Sequence, residues 1–188
     1  MRIVLASASP RRKELLGQLG IEFEVCVSDV DENIAETTPN RLVEELSARK
    51  AEAVFRQIDG DVLVIGADTI VALEEEVLGK PTDAEHAKEM LRRLQAKEHQ
   101  VYTGVTIYKR QNGQEVCSTF YECTRVKFFP MTQEEIQWYV SSTEPMDKAG
   151  AYGIQGLGAR YVERIFGDYN NVVGLPIARL YQELKYYY

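Results

Sequence analysis

Three stretches of the chain concentrate residues able to handle a phosphorylated ligand: 7–13 (SASPRRK), 66–69 (GADT) with Lys80 beyond it, and 147–158 (DKAGAYGIQGLG). In the first, Arg11, Arg12 and Lys13 stand where a helix should begin, although the helix dipole disfavours cations there. An anion between them would resolve the conflict, because free backbone N–H groups and guanidinium forks both take phosphate oxygens. Asp68, Lys80, Asp147 and Lys148 add carboxylates and ammonium groups beside glycines, which let a backbone approach a ligand closely. Carboxylates mixed with Arg and Lys fit a phosphorylated ligand with a divalent cation, since Mg²⁺ is usually held by one or two carboxylates plus substrate phosphates. Neither a P-loop signature nor GxGxxG is present, so a standard mononucleotide or dinucleotide loop is not expected. The two histidines, His86 and His99, belong to no Ser/His or metal-binding pattern. The three cysteines, Cys26, Cys117 and Cys123, lack metal-ligand spacing and are expected as reduced, mostly buried thiols.

These residues need strands and helices to place them. The apolar run 2–6 predicts a buried strand, followed by Ser9 as N-cap, Pro10 at the first helical position and a helix carrying Leu15, Leu16 and Leu19, with Gly20 as its stop. Alternation over 22–27 predicts a half-exposed strand that runs into the acidic segment 28–32, ordinarily a solvated loop. A long amphipathic helix is predicted over 41–58, with Lys50 on it. The continuous apolar run 62–66 reads as a central strand buried on both faces, feeding a loop at 66–69. A hairpin beginning at Asp68 would then bring Lys80 back towards it. Further helices are predicted from Thr82 or Asp83, over 132–140, and over 172–184. A hairpin is predicted at Asn112-Gly113 between strands 100–108 and 116–129, and a last strand over 160–165. Strands alternating with helices but joined by hairpins predict an α/β fold with a mixed sheet, and ligands in such sheets bind beyond the carboxyl ends of strands.

With 188 residues, 45% hydrophobic and 27% charged, the composition suits a soluble globular protein of one domain, 1–188. A net charge of −7 argues against a broad nucleic-acid surface but leaves room for a small anion held by a local basic cluster. No apolar run approaches the roughly 20 residues that span a bilayer, and no signal-peptide pattern opens the chain. A cytoplasmic protein, binding neither nucleic-acid polymer nor membrane, is the expectation.

Five motifs then resemble, in order, the Maf family of nucleoside triphosphate pyrophosphatases: SASPRR at 7–12, GADT at 66–69, GKP at 79–81, EPMDKAGAYGIQG at 144–156 and GDYNNVVGLP at 167–176. The resemblance covers nearly the whole chain. It implies a mixed α/β sheet with flanking helices, two lobes around a central nucleotide-binding cleft (Maf / ITPase-like), and hydrolysis of a nucleoside triphosphate to the monophosphate and pyrophosphate. The pattern looks like the branch acting on dTTP and UTP rather than on 7-methyl-GTP. By resemblance, Asp68 is the general base, and Arg11, Thr69 and Gln155 set base specificity. Ser7, Arg12, Lys50, Lys80 and Lys148 would hold phosphates, and Glu32, Asp68 and Asp147 a divalent cation, Mg²⁺ or Mn²⁺. A homodimer and a role in septum formation during cell division are also implied. A nucleotide-binding division regulator with weak catalysis is the contrasting reading, and the general base argues for the enzyme.

Overall fold

The computed structural model describes residues 1–27, 29–32, 34 and 38–187. Ser28, in the acidic segment, and Tyr188 lie outside the described residues. The strands and helices follow in the order β1 (Arg2–Ala6), α1 (Pro10–Gly17), β2 (Glu24–Val25), α2 (Pro39–Phe55), β3 (Val62–Leu73), β4 (Glu76–Leu78), α3 (Ala84–Leu94), β5 (Glu98–Gln111), β6 (Gln114–Phe128), α4 (Gln133–Ser141), β7 (Val162–Phe166), α5 (Tyr169–Val173) and α6 (Ile177–Leu184). The sheet runs β2-β1-β3-β5-β6-β7, with β4 paired to β3. β1 is parallel to β2 and to β3, whereas β4 and β7 are antiparallel to their neighbours, so the sheet is mixed as expected.

Local chemistry sets most boundaries. Ser9 accepts from the Arg12 N–H and Pro10 opens α1. The helix stops at Gly17, earlier than the apolar spacing implied, because Leu19 and Gly20 tighten into i→i−3 bonds to Leu16 and Gly17. Asp83 caps α3, and Thr132 and Glu135 close a capping box on α4. Asn112 and Gly113 both take positive φ, 51° and 78°, as a two-residue hairpin turn requires. The predicted terminal helix divides in two. Val172 and Val173 end α5, Gly174 turns with φ of 130°, and α6 begins only after Pro176. The half-exposed strand expected at 22–27 shortens to Glu24–Val25, pairing with Val4 and Leu5.

The chain divides into two units. The first comprises Met1–Asp68, Thr103–Glu122 and Gly174–Tyr188, and the second Thr69–Tyr102 and Cys123–Val173. In the first, Val54, Phe55 and Ala51 of α2 pack on Val4, Ala6, Val62 and Val64. In the second, Leu91 and Leu94 of α3, Ile136 and Tyr139 of α4, Phe128, Tyr152 and Tyr161 share one core. His99 belongs to that core. It lies edge-on to Phe128 and Tyr152, with Nε2 hydrogen-bonded to the Tyr152 hydroxyl at 2.8 Å, and burial pushes its pKa down to about 4. It is therefore neutral at physiological pH. Cys26 and Cys123 are half-buried and Cys117 is exposed, so none is the buried thiol expected. Among the described residues, no helix is long and apolar enough to cross a membrane.

Candidate active site

In the first unit, the end of β1 hands over to α1 through a buried Ser7. Its Oγ accepts from the Ser9 N–H at 3.2 Å and from Arg12 Nη1 at 3.3 Å. Arg12 folds back from the first turn of α1, and its Nε donates to the Gly174 carbonyl at 2.9 Å. Burial pushes the Arg12 pKa down, Asp68 opposes that, Arg11 adds to it and Glu32 opposes it. A guanidinium stays charged under such shifts. The basic cluster expected at this helix start therefore has one member turned inward beside two carboxylates.

Those carboxylates are positioned by α2 and β3. A Cβ on Gly66 would lie 2.5 Å from the Ser47 carbonyl oxygen and 2.7 Å from Ala51 N, so only glycine lets the helix backbone rest on β3 here. Gly104 plays the same part on β5, where a Cβ would lie 2.1 Å from the Val43 carbonyl oxygen. The Ser47 hydroxyl fixes the contact further, bonding Thr106 Oγ1 at 2.9 Å, which in turn bonds Thr119 Oγ1 at 2.9 Å. Lys50, one turn beyond Ser47 on α2, is thereby set against β3. Its Nζ lies 2.5 Å from Asp68 Oδ1 and 2.8 Å from Glu32 Oε1. The Lys50 and Asp68 side chains keep only 14% and 12% of their exposure, whereas Glu32 keeps 60%. Asp68 does not sit in a loop: 66–69 lies inside the twelve-residue β3, a correction to the expected strand end. An aspartate is tolerated within a buried strand because the Lys50 ammonium neutralises it.

In the second unit, β3 and β4 form the expected hairpin, with Val71 opposite Leu78 and Leu73 opposite Glu76. Lys80 lies exposed two residues past the last pair, and half-buried Thr69 two residues before it. Gly79 O accepts from the Gly150 N–H at 3.0 Å, tying the hairpin to the glycine-rich segment. Lys148 Nζ donates to Asp147 Oδ1 and to the Glu144 carbonyl, both at 2.6 Å, so a predicted phosphate ligand and a predicted metal ligand hold each other. Gln155 is half-buried in the loop 153–158.

The loop is anchored by Glu144 and Tyr139, to which sequence reasoning gave no role. The Glu144 carboxylate accepts from the Tyr139 hydroxyl and from the backbone N–H groups of Leu157 and Gly158, at 2.9 to 3.1 Å. Burial works against ionisation of Glu144, but those donors and Lys148 outweigh it and hold its pKa below the ordinary carboxylate range. The glycine spacing was the available signal. Gly156 and Gly158 are where a Cβ would strike the Glu144 carboxylate and the Tyr139 hydroxyl.

Ser7, Arg12, Glu32, Lys50 and Asp68 are thus brought together in the first unit, with Arg11 close enough for its charge to act on Arg12. Among the described residues, no group of three or more His, Cys, Asp or Glu side chains could hold a metal ion. Glu32 and Asp68 do converge on one ammonium, whereas the Asp147 carboxylate is turned to Lys148.

Residues 2–187 match the family described as Maf-like protein. A dTTP/UTP pyrophosphatase of Lachnoclostridium phytofermentans is 54% identical over 185 residues, covering 98% of this chain and 94% of that protein. One from Agathobacter rectalis is 52% identical over 197 residues, covering 98% and 96%. A solved nucleoside-triphosphatase / dITP/XTP pyrophosphatase of Mycobacterium abscessus is similar at 15% identity with a TM-score of 0.47, covering 98% of this chain and 97% of that one. The five motifs, Asp68 and the Glu144-anchored loop among them, lie with Lys50 and Glu32 inside a match spanning almost every residue, and the chain belongs to the Maf-like protein family.

Proposed function

We propose that this protein hydrolyses dTTP and UTP between the α and β phosphates, releasing the nucleoside monophosphate and pyrophosphate. The observation that carries the reading is the Lys50 ammonium held between Asp68 and Glu32, next to an inward-turned Arg12. Relatives at 52–54% identity named dTTP/UTP pyrophosphatase support the substrate class.

In this reading a water oxygen bonds to one phosphorus of the α–β bridge, the bridging P–O bond breaks, and pyrophosphate leaves. Asp68 takes the water's proton. Its Oδ1 already receives Lys50, but a carboxylate has further lone pairs to offer. Arg12, Lys50, Lys80 and Lys148 neutralise charge on the phosphates, and Ser7 holds Arg12 in place. Glu32 and Asp68 supply the hard oxygen donors that suit Mg²⁺ or Mn²⁺, with substrate phosphates completing the shell. Such a cation, when bound, stabilises the developing charge and lowers the pKa of a coordinated water. By the family resemblance Asp147, whose carboxylate likewise accepts from a lysine, Lys148, is a further carboxylate for the cation. Arg11, Thr69 and Gln155 read the base. The Gln155 amide offers both a donor and an acceptor, matching the O4 and N3–H edge of uracil or thymine. The substrate is a free nucleotide in the cytoplasm, and family resemblance supports a homodimer.

Product analysis tests this. Purified protein with Mg²⁺ or Mn²⁺ and a panel of triphosphates is expected to yield UMP or dTMP plus pyrophosphate, with the activity lost on adding chelator. Nucleoside diphosphate plus phosphate would overturn the cleavage position. Binding without turnover would move the weight to a nucleotide-binding regulator. In the same assay Gln155→Ala is expected to lower the UTP-over-GTP ratio of kcat/KM by about tenfold, more than it lowers kcat. An unchanged ratio removes Gln155 from base recognition.

A further inference from the structure

The segment bearing Gln155 has little regular structure of its own, yet its backbone is tied on both sides of that residue. Two residues before it, the Gly153 N–H donates to the Tyr139 hydroxyl at 3.1 Å. Two and three residues after it, Leu157 N–H donates to Glu144 Oε2 at 2.9 Å and Gly158 N–H to Glu144 Oε1 at 3.1 Å. The two anchors are themselves joined, since the Tyr139 hydroxyl donates to Glu144 Oε1 at 2.9 Å. Tyr139 is fully buried in α4, and Glu144 opens the short 3₁₀ turn Glu144–Asp147. The loop therefore hangs from the core of the second unit rather than from its own contacts.

The glycines show that this closeness is built in. A Cβ on Gly156, whose φ is 86°, would lie 2.7 Å from Glu144 Oε2. One on Gly158 would lie 2.5 Å from the Tyr139 hydroxyl. Lys148 closes the remaining side: its Nζ bonds the Glu144 carbonyl, and its Cε would lie 2.7 Å from a Cβ on Gly153. A side chain whose flanking backbone is already fixed loses less freedom when it meets a ligand, and this raises affinity without any new contact.

We infer that Glu144, acting with Tyr139, is a positioning residue for base recognition: it holds 153–158 so that the Gln155 amide is presented ready to pair with the pyrimidine edge. This rests on the reading of Gln155 given above. It assigns a role in specificity to a carboxylate whose oxygens are turned to the Tyr139 hydroxyl and the loop backbone.

The test compares wild type, Glu144→Gln, Tyr139→Phe and Gln155→Ala with UTP and GTP, measuring kcat, KM and the thermal unfolding midpoint. An amide at 144 offers one acceptor oxygen and turns an NH₂ towards a backbone donor. Glu144→Gln is therefore expected to raise KM for UTP about tenfold, to lower the UTP-over-GTP ratio of kcat/KM by about tenfold, and to reduce kcat less than it raises KM. Tyr139→Phe, which spares the two backbone bonds to Glu144, moves the same quantities by less. A loop staple with no part in recognition would lower the unfolding midpoint and leave the ratio alone. If Glu144→Gln keeps the UTP KM and the ratio within twofold of wild type while Gln155→Ala shifts the ratio, the inference is overturned and the Gln155 reading survives. If Gln155→Ala does not shift the ratio, the Gln155 reading fails and takes this inference with it. Should Glu144→Gln not fold, Gly156→Ala presses on the same carboxylate from the loop side. The same loss of selectivity is expected from it, and an unchanged ratio overturns the inference.

Discussion

Replacing Asp68 with Asn is expected to reduce kcat by about 10²–10⁴-fold, the range a positioned general base contributes, while nucleotide binding persists. The substitution is nearly isosteric and leaves an oxygen for Lys50 to donate to, so the packing of β3 against α2 is retained. It removes the one charge in the cluster that is both buried in the strand and able to take a proton. Single-turnover hydrolysis of UTP with Mg²⁺ measures the chemical step, and calorimetric titration of the nucleotide measures binding. Turnover within threefold of wild type would take Asp68 out of the base role. Loss of binding together with turnover would mean that its charge serves the cation and the phosphates instead.

The second large effect is expected from a methyl group. Gly66→Ala places a Cβ among Ser47 O, Ala51 Cβ and Ala51 N, all within 2.7 Å, and two of the three are backbone atoms that cannot rotate away. The helix has to retreat. Overpacking of this kind costs about 1–3 kcal/mol. Because Lys50 rides on the same helix one turn later, retreat also lengthens its contacts with Asp68 and Glu32. Both the unfolding midpoint and kcat/KM should fall. Gly17→Ala is the control: a Cβ there meets nothing within 4 Å, and alanine is the better helix former. A Gly66→Ala protein that matches wild type in both measurements would show that this contact does not set the position of Lys50.

What the sequence disclosed divides along the range of the forces involved. Ser9, Asp83 and Thr132 were legible as caps, and Asn112-Gly113 as a turn, because each acts on backbone within three residues of itself. The mixed sheet followed from the alternation of apolar runs and turns. Asp68 was misplaced as structure, in a loop rather than inside β3. An aspartate counts against a strand in any local reading, and its compensating charge comes from Lys50, eighteen residues earlier. Lys50 was legible from its neighbours only as a residue on the helix 41–58. Its burial depends on Gly66 and Gly104, whose small size matters only once helix and sheet meet. Tyr139 and Glu144 were hidden for the same reason, since a core tyrosine and a carboxylate before proline acquire their meaning from the loop they hold.

The bond from Arg12 to the Gly174 carbonyl joins residues 162 positions apart, and the first unit takes its closing segment from Gly174–Tyr188. At a synthesis rate of about 5–20 residues per second, Arg12 is made roughly 8–30 seconds before its partner. During that interval Lys50, Asp68 and the α2–β3 contact can assemble, but the guanidinium has no carbonyl to close upon. The second unit lies wholly between the two halves of that bond, so it is complete before the first can be. A released chain ending before residue 174 would therefore contain every residue of the second unit, with its 153–158 loop, and a first unit lacking the carbonyl that Arg12 bonds.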